Sequence, residues 1–314
     1  MGLGGKSASW QKSRTGIGEK CPFDNRFHGN LYFFEVKCYQ ITLTGRNHMG
    51  QRELSDICII AKQAGLILRE GYEKHHDIRS KGRQDDLVTE MDKKSEDFII
   101  DRLSTLYPGD MIITEETGQH TGDADHVWYI DPLDGTMNYA HGIPLFAVSI
   151  GYAYKGELTM GVVYDPMRDE CFYAEKGKGA WVNGKPIQTS PQTDLKNSLF
   201  VTGFSMKVLE ERGISNFPAF EHFMRTTAGV RRTGVAALEI CYVACGRLDG
   251  MWELKLCAWD VAAGFVIAKE SGVKITALDG ETNAFKPPYF DYIIANPELH
   301  TKLKEELKPF NLVL

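Results

Sequence analysis

The sequence lacks a long hydrophobic run, a Cys-x-x-Cys pair and an excess of basic side chains. Because no stretch approaches the roughly eighteen apolar residues of a membrane span, we predict no transmembrane helix and no membrane partner. The missing Cys-x-x-Cys spacing argues against a cysteine-ligated zinc site. The net charge of −6 argues against a nucleic-acid partner, because nucleic-acid-binding proteins are usually basic. The absence of His-Glu-x-x-His and Walker motifs argues against a histidine-ligated zinc enzyme and against transfer from ATP.

The seven cysteines are an odd number and lie scattered through apolar segments. This usage is typical of reduced thiols in a reducing compartment, so we predict a cytoplasmic protein. The 314 residues are 43% hydrophobic, which provides ample material for a core and allows one large domain or two.

Residues 1–49 differ from the rest because they are rich in Gly, Lys, Arg and Ser and show almost no periodicity. We predict that they form a poorly ordered N-terminal extension. A transit peptide is one interpretation of this composition, and an upstream extension before a start at Met49 is the other.

After Met49 the apolar residues recur with regular helical and strand periods. Helical spacing is present at 52–72, after Asp92 as the predicted N-cap, at 233–246, after Asp260, and at 297–308, and further helical material is predicted around 206–225. Apolar runs predict strands at 111–114, 127–130, 145–154, 157–164, 170–175, 198–204, 248–254 and 289–296. Because strands and helices come in blocks and several strands are linked as hairpins, we predict a layered α+β or mixed α/β fold.

The stretch WYIDPLDGTMNYAHG, residues 128–142, places acids directly after a hydrophobic strand. Asp131 ends the strand, Pro132 shapes a turn, and Asp134 follows close enough to point into the same pocket. Gly135 and Thr136 then provide close backbone approach and a hydroxyl group, and a helix beginning near Thr136 would offer free N–H groups to an anion. The alternative interpretation is a simple Asp-Pro turn with an Asp N-cap.

Further acids lie at strand ends or helix starts, where they would make a poor hydrophobic core. They are Glu115 and Glu116, Asp86 and Asp92, and Glu253 and Asp260. Crowded carboxylates repel one another, and bound cations relieve that repulsion. Since Mg²⁺ prefers oxygen ligands, the pattern predicts a magnesium site beside a phosphate-binding helix start.

The chain resembles the inositol monophosphatase family of Mg²⁺-dependent, lithium-sensitive sugar phosphatases from about Gln51 to the C-terminus. The motifs that carry the resemblance are DLVTEMD (86–92), ITEE (113–116), WYIDPLDGTMNY (128–139), GVVYDP (161–166), GAWVNG (179–184), RRTGVAALEICYVACGRLDG (231–250) and WELKLCAWDVAAG (252–264). The resemblance implies a layered αβαβα sandwich of the inositol monophosphatase and fructose-1,6-bisphosphatase type. It also implies one such domain at 50–314, with a metal-binding half at about 50–190 and a C-terminal half at about 191–314.

The resemblance further implies two or three Mg²⁺ ions per site. The implied metal ligands are Glu115, Asp131, the Leu133 carbonyl, Asp134 and Asp260, with Asp92 acting on a third ion through water. Thr136 and Glu115 would orient the attacking water, so the implied catalytic residues are Glu115, Thr136 and Asp92. For Asp92, the alternative is a role as helix cap alone.

The implied substrate-binding residues follow from the same resemblance. They are Asp134, Gly135 and Thr136 for the phosphate, Gly234, Val235 and Ala236 for the alcohol, Glu253 for a ring hydroxyl, Asp260, and Lys81 on a loop near the site. Two alternatives stay open, because Glu253 could instead pair with a Lys or Arg, and Lys81 could be a solvated surface charge.

The function expected from the resemblance is Mg²⁺-dependent hydrolysis of a small phosphomonoester, most simply inositol 1-phosphate, by a homodimer. Arg231, Arg232 and Arg247 are candidates for binding a second phosphate. A fructose-1,6-bisphosphatase, an NADP phosphatase or another sugar or nucleotide phosphatase is therefore the first alternative. The second is a regulatory binding protein on a phosphatase scaffold.

Overall fold

A computed structural model describes residues 52–72, 79–83, 86–281, 285 and 289–312, with only the backbone described at 79–83 and 86–88. All of these residues belong to one compact unit, His48–Leu314. The prediction for residues 1–49 lies outside the described residues, and the two predicted halves stay a prediction.

The described residues contain eight α-helices. They are α1 (Leu54–Gly71), α2 (Glu90–Leu106), α3 (Thr136–Ala140), α4 (Met206–Arg212), α5 (Phe217–Thr226), α6 (Ala236–Ala244), α7 (Ala258–Glu270) and α8 (Pro297–Leu307). Short 3₁₀ turns lie at Leu195–Asn197 and Lys308–Phe310. No helix in the described part of the chain is long and apolar enough to cross a membrane.

The predicted position of Asp92 as an N-cap is wrong. Thr89 caps α2, because its hydroxyl accepts the Met91 N–H, while Asp92 returns a carboxylate oxygen to the Thr89 N–H at 2.8 Å. Asp260 holds the equivalent third position of α7 and accepts the Cys257 N–H at 2.7 Å. Both acids therefore sit inside the first turn and point back toward the helix start.

The first large sheet has eight strands. They are β3 (Asp110–Thr114), β4 (Gly118–His120), β5 (Asp123–Asp134), β6 (Ala147–Tyr154), β7 (Glu157–Asp165), β8 (Glu170–Glu175), β9 (Ala180–Val182) and β10 (Lys185–Pro186), following the short hairpin β1 (Arg79–Arg83) and β2 (Asp86–Val88). The order is β10-β9-β8-β7-β6-β5-β3-β4, and β3 runs parallel to β5 while the other pairs are antiparallel. The predicted hairpin is present, with Lys155 and Gly156 both at positive φ.

The second sheet has five strands. They are β11 (Leu199–Thr202), β12 (Gly229–Arg231), β13 (Gly250–Cys257), β14 (Lys274–Ala277) and β15 (Tyr289–Ala295). In the order β12-β11-β13-β15-β14, β11 is parallel to both neighbours and β15 is antiparallel to both of its own. Both large sheets are therefore mixed.

The layers follow from which side chains share a core. One face of the first sheet, including Trp128 and Ile130, packs against α1 and α2. The opposite face, including Val127 and Tyr129, packs against α6 and α7, which also cover one face of the second sheet. The outer face of the second sheet, including Trp252, packs against α5 and α8. This order of layers confirms the predicted αβαβα sandwich.

Two glycines allow α7 to approach the first sheet closely. A Cβ atom added at Gly151 would lie 2.6 Å from the Ala262 Cβ, and one added at Gly161 would lie 2.8 Å from the Ala263 Cα. Both distances are too short for real contacts, so only glycine fits. The close approach matters because α7 carries Asp260 and the sheet carries Asp131 and Asp134.

Candidate active site

The carboxyl end of β5 delivers two buried acids. Asp131 is 2% exposed and Asp134 is 8% exposed. Between them the pairing with β6 shifts register, so the strand bulges at Pro132 and Leu133. Asp131 accepts the Leu133 N–H at 3.0 Å, and Asp134 accepts the Ala237 N–H at 2.7 Å from the start of α6. Each acid thus has one oxygen fixed by backbone.

The turn into α3 begins at Gly135, which has φ +94. A side chain there would press against Val235 and the Leu145 carbonyl, so the position requires glycine for space as well as conformation. The next residue, Thr136, has its hydroxyl 3.0 Å from a carboxylate oxygen of Asp92 and 3.1 Å from the Leu133 carbonyl. The structure thus brings Thr136, Asp92 and the Leu133 carbonyl together.

Asp92 is buried at 1% exposure, and it serves the helix and the site with different oxygens. One oxygen accepts from the Thr89 N–H and hydroxyl, and the other faces Thr136. Desolvation raises the pKa of Asp92, the bonds from Thr89 oppose that rise, and the charge of Glu115 adds to it. Asp92 therefore contacts both the start of α2 and the Thr136 hydroxyl.

Glu115 directly follows β3, and its N–H bonds the Ile130 carbonyl of β5 at 3.2 Å. The buried Glu96 of α2 supports this turn by accepting the Glu116 N–H and the Thr117 hydroxyl. The strand end and α2 together position the Glu115 carboxylate beside the acids of β5.

The four acids lie within electrostatic reach of one another. Burial raises the pKa of Asp131 well above its ordinary value, and the charges of Glu115, Asp134 and Asp260 raise it further. Burial likewise raises the pKa of Asp134 well above its ordinary value, and the charge of Asp260 is the next largest cause of the rise. The structure has therefore collected four carboxylates from β3, β5 and α7 in one place, at a free-energy cost that cations would offset.

Mg²⁺ fits this site by the chemistry of its donors, which are all carboxylate, carbonyl or hydroxyl oxygens. Among the described residues, no group of three or more His, Cys, Asp or Glu side chains is arranged to hold a metal ion by itself. Asp131, Asp134 and Asp260 each turn one oxygen toward a backbone N–H. Metal binding would engage their remaining oxygens.

The loop before α6 forms a second wall. Val235 packs against Gly135, and Gly234 has φ +74 with the Arg232 guanidinium lying over it. Ala236 begins α6 and is buried. The structure thus places the three predicted alcohol-lining residues beside the turn that carries Asp134 and Thr136.

Glu253 lies on β13 and is half-buried, and its Oε2 atom is buried without a hydrogen-bond partner. Its carboxylate occupies the space where a side chain at residue 203 would be, so a larger residue at Gly203 would displace that carboxylate. Burial raises the pKa of Glu253 well above its ordinary value, and the charges of Glu239, Asp260 and Asp134 add to the rise. These neighbours place Glu253 at the same site.

Lys81 belongs to β1, and its side chain lies outside the described residues. Its predicted role near the substrate stays a prediction.

Of the three candidate arginines, Arg247 pairs with both oxygens of Glu170 and lies over the rings of Phe172 and Tyr242. Arg247 is thus committed to a structural contact.

Sequence reasoning missed three supporting residues. The Asn138 amide in α3 donates to the carbonyls of Leu145 and Thr233, and the Ser95 hydroxyl in α2 donates to the Pro132 carbonyl at 2.8 Å. The third is Glu239, an acid on the otherwise apolar helix α6. Only Glu239 had a visible signal, because a charged residue within AALEICYVA is unusual.

Comparisons with known proteins agree with this geometry. A model of the inositol monophosphatase family matches residues 51–309. An inositol-1-monophosphatase from Synechocystis sp. is 44% identical over 232 residues, which cover 72% of this chain and 78% of the relative. Nus factor SuhB from Pasteurella multocida is 38% identical over 251 residues, 79% of this chain and 93% of the relative. The structure of inositol monophosphatase from Anabaena (Nostoc) sp. matches with a TM-score of 0.72 and 37% identity, covering 82% of this chain and 95% of that chain.

Proposed function

The chain belongs to the inositol monophosphatase family, and from this premise we propose that it hydrolyses a small phosphomonoester, with inositol 1-phosphate as the preferred substrate. The observation that carries the proposal is the convergence of Glu115, Asp131, Asp134 and Asp260 beside the turn at Thr136. Metal-assisted hydrolysis uses such a combination, in which acids hold cations and a polar turn lies beside them.

Two or three Mg²⁺ ions are the cofactor under this proposal. The residues that would hold them are Glu115, Asp131, Asp134, Asp260 and the Leu133 carbonyl, with Asp92 acting through water. When bound, Mg²⁺ supplies Lewis acidity toward the phosphate and lowers the pKa of water. The protein would supply a fixed acidic cage, since Asp131 and Asp134 are each already held by a backbone N–H.

Thr136 and Asp92 act on the proton of the attacking water. The Thr136 hydroxyl donates to the Asp92 carboxylate at 3.0 Å, so its oxygen can accept a hydrogen bond from the water and connect that water to the acid. Glu115 lies close enough to influence Asp92 electrostatically and would orient the same water. The backbone of Asp134, Gly135 and Thr136 would hold the phosphate in line with that attack.

The alcohol part of the substrate would rest on Gly234, Val235 and Ala236. Glu253 would accept a hydrogen bond from a ring hydroxyl, because its Oε2 is buried and lacks a protein donor. A buried acceptor without a donor costs about 1–3 kcal/mol, and a substrate hydroxyl would recover part of that cost. This preference for hydroxyl groups favours a polyol phosphate such as inositol 1-phosphate. Asp260 would also contact the substrate, and Lys81 would lie near its phosphate.

The test is Mg²⁺-dependent phosphate release from a panel of inositol 1-phosphate, fructose 1,6-bisphosphate, NADP and adenosine 3′,5′-bisphosphate. We expect inositol 1-phosphate to give the highest kcat/KM, and Asp131→Asn to lower it at least about 100-fold. Asp165→Asn is the matched control, because Asp165 is equally buried at the end of β7 but bonds Arg168. No release from any substrate would refute the proposal.

The first alternative is a bisphosphatase or NADP phosphatase. The commitment of Arg247 to Glu170 leaves Arg231 and Arg232 as the exposed cations for a second phosphate. This alternative holds under two conditions. Arg231→Ala or Arg232→Ala must weaken binding of fructose 1,6-bisphosphate or NADP but not of inositol 1-phosphate, and the wild-type protein must hydrolyse that same substrate faster than inositol 1-phosphate.

A regulatory binding protein on the same scaffold is a second candidate, because the Pasteurella multocida relative is named a Nus factor. Under that function the wild-type protein would release no phosphate from any member of the panel.

We also propose a homodimer, and its mass in solution, measured by light scattering, would be twice that of the chain.

A further inference from the structure

Glu239 is a buried acid that the proposed chemistry does not use. It lies in the first turn of α6 and is 2% exposed. One of its oxygens accepts the N–H groups of Thr233 and Gly234, both at 3.0 Å, and the Thr233 hydroxyl at 2.5 Å. A single side chain therefore fixes the backbone of the segment 233–234.

The other side of that segment contacts the phosphate-binding turn. The Asn138 amide of α3 donates to the Thr233 carbonyl at 2.9 Å, and Val235 packs against Gly135. Segment 233–235 is thus held between Glu239 on one side and α3 on the other. Glu239 fixes the N–H groups of the segment, and Asn138 of α3 separately fixes the Thr233 carbonyl.

The charges around Glu239 also connect it to the substrate wall. Its carboxylate contributes the largest electrostatic effect of any neighbour on Glu253, and the Arg232 guanidinium acts on both acids with the opposite sign. Arg232 in turn lies over Gly234. Glu239, Arg232 and Glu253 therefore form one charged group beside segment 233–235.

We propose that Glu239 is a positioning residue that sets how tightly the site holds the alcohol part of its substrate, by fixing the backbone of Thr233 and Gly234. The inference rests on the proposed phosphomonoester hydrolysis. Without the carboxylate, Thr233 and Gly234 lose three hydrogen bonds while Asn138 still holds the Thr233 carbonyl. The segment would then shift against the alcohol but not against the phosphate.

The experiment compares Glu239→Ala, Glu239→Gln and the wild-type protein with inositol 1-phosphate as substrate and inorganic phosphate as inhibitor. For Glu239→Ala we expect KM to rise about tenfold and the inhibition constant of phosphate to stay within about twofold. Glu239→Gln keeps an oxygen that accepts the same donors, so its KM should stay within about threefold of wild type. If the alanine variant does not fold, Glu239→Asp replaces it, because the shorter acid also withdraws from the segment.

Asp165→Ala is the control for general destabilisation, since Asp165 is another buried acid that accepts turn N–H groups, at Met167 and Arg168. It should lower the melting temperature without changing KM. The inference would be overturned if Glu239→Ala changed the KM for inositol 1-phosphate and the inhibition constant of inorganic phosphate by the same factor. It would also be overturned if Glu239→Gln raised KM as much as Glu239→Ala does. A wild-type protein without phosphatase activity would overturn the proposed function as well, whereas an active wild type with an unaltered alanine variant would overturn this inference alone.

Discussion

Replacing Gly161 by alanine tests whether the close approach of α7 to the sheet positions the site. The added Cβ would lie 2.8 Å from the Ala263 Cα and nearer still to the Ala263 carbonyl, both of which are backbone atoms. Backbone cannot rotate away as a flexible side chain does. We therefore expect α7 to move away from β7 by about 1 Å, because protein interiors have no free volume to absorb a methyl group.

The expected cost has two parts. Overpacking of a core typically costs about 1–3 kcal/mol, which lowers the melting temperature of a protein of this size by roughly 2–5 °C. The second part is functional, because Asp260 lies three residues before Ala263 on the same helix. A misplacement of about 1 Å at a reacting centre can cost about 100-fold in rate, so we expect a loss of kcat/KM approaching that factor.

Melting temperatures with and without Mg²⁺, together with phosphate release, measure both parts. The matched control is Gly272→Ala, at the other end of α7, where φ is +89 and the space around a Cβ is open. Backbone strain there should cost about 1–2 kcal/mol without moving Asp260. A Gly161→Ala protein with wild-type melting temperature and activity would refute the reasoning, and equal activity losses in both variants would show that stability alone is responsible.

Three further predictions concern other parts of the chain. Burial first, then the charges of Lys274 and Lys304, lower the pKa of His300 from 6.5 to about 4. The unfolded chain binds a proton on His300 more readily than the folded chain, so the free energy of unfolding is highest above about pH 6.5 and falls as the pH is lowered toward 4. At 1.36 kcal/mol per pKa unit, the fall is roughly 3 kcal/mol. Urea titrations at both pH values should show this decline, and His300→Gln should flatten it. Asp110→Ala should lower the free energy of unfolding by about 3 kcal/mol, because Asp110 accepts from the Trp128 indole at 2.9 Å and pairs with Arg52; an unchanged urea midpoint would contradict this. Deleting residues 1–49 should leave phosphate release and melting temperature nearly unchanged, and a large loss of either would show that they contribute to the fold.

The sequence predicted most of the long elements because their periodicity is strong. The β6–β7 hairpin follows directly from apolar runs on either side of Lys155 and Gly156. Short elements such as β4, β12 and β14 were missed, since three or four residues carry too little periodicity. The helical material predicted around 206–225 is two helices, and Gly213 at φ +66 ends the first of them.

The acids of the site were visible in the sequence because each directly follows a strand or begins a helix. Their helix positions were less accurate: a short hydroxyl side chain at Thr89 suits the cap, while the longer return bond comes from Asp92 three residues later. Asn138 was not predictable, because its partner Thr233 lies 95 residues away along the chain. A contact of that kind depends on how the layers pack, which no local pattern encodes.

Asp92 and Asp260 each have two structural roles. Each accepts an N–H at the start of its own helix, while Asp260 lies within electrostatic reach of Asp131 and Asp92 within reach of Glu115. Selection for folding alone would therefore preserve both acids in a descendant that had stopped hydrolysing phosphate. The survival of these aspartates in a relative is poor proof of turnover, and Asp131, whose backbone bond lies within a strand bulge, is the more telling position to inspect.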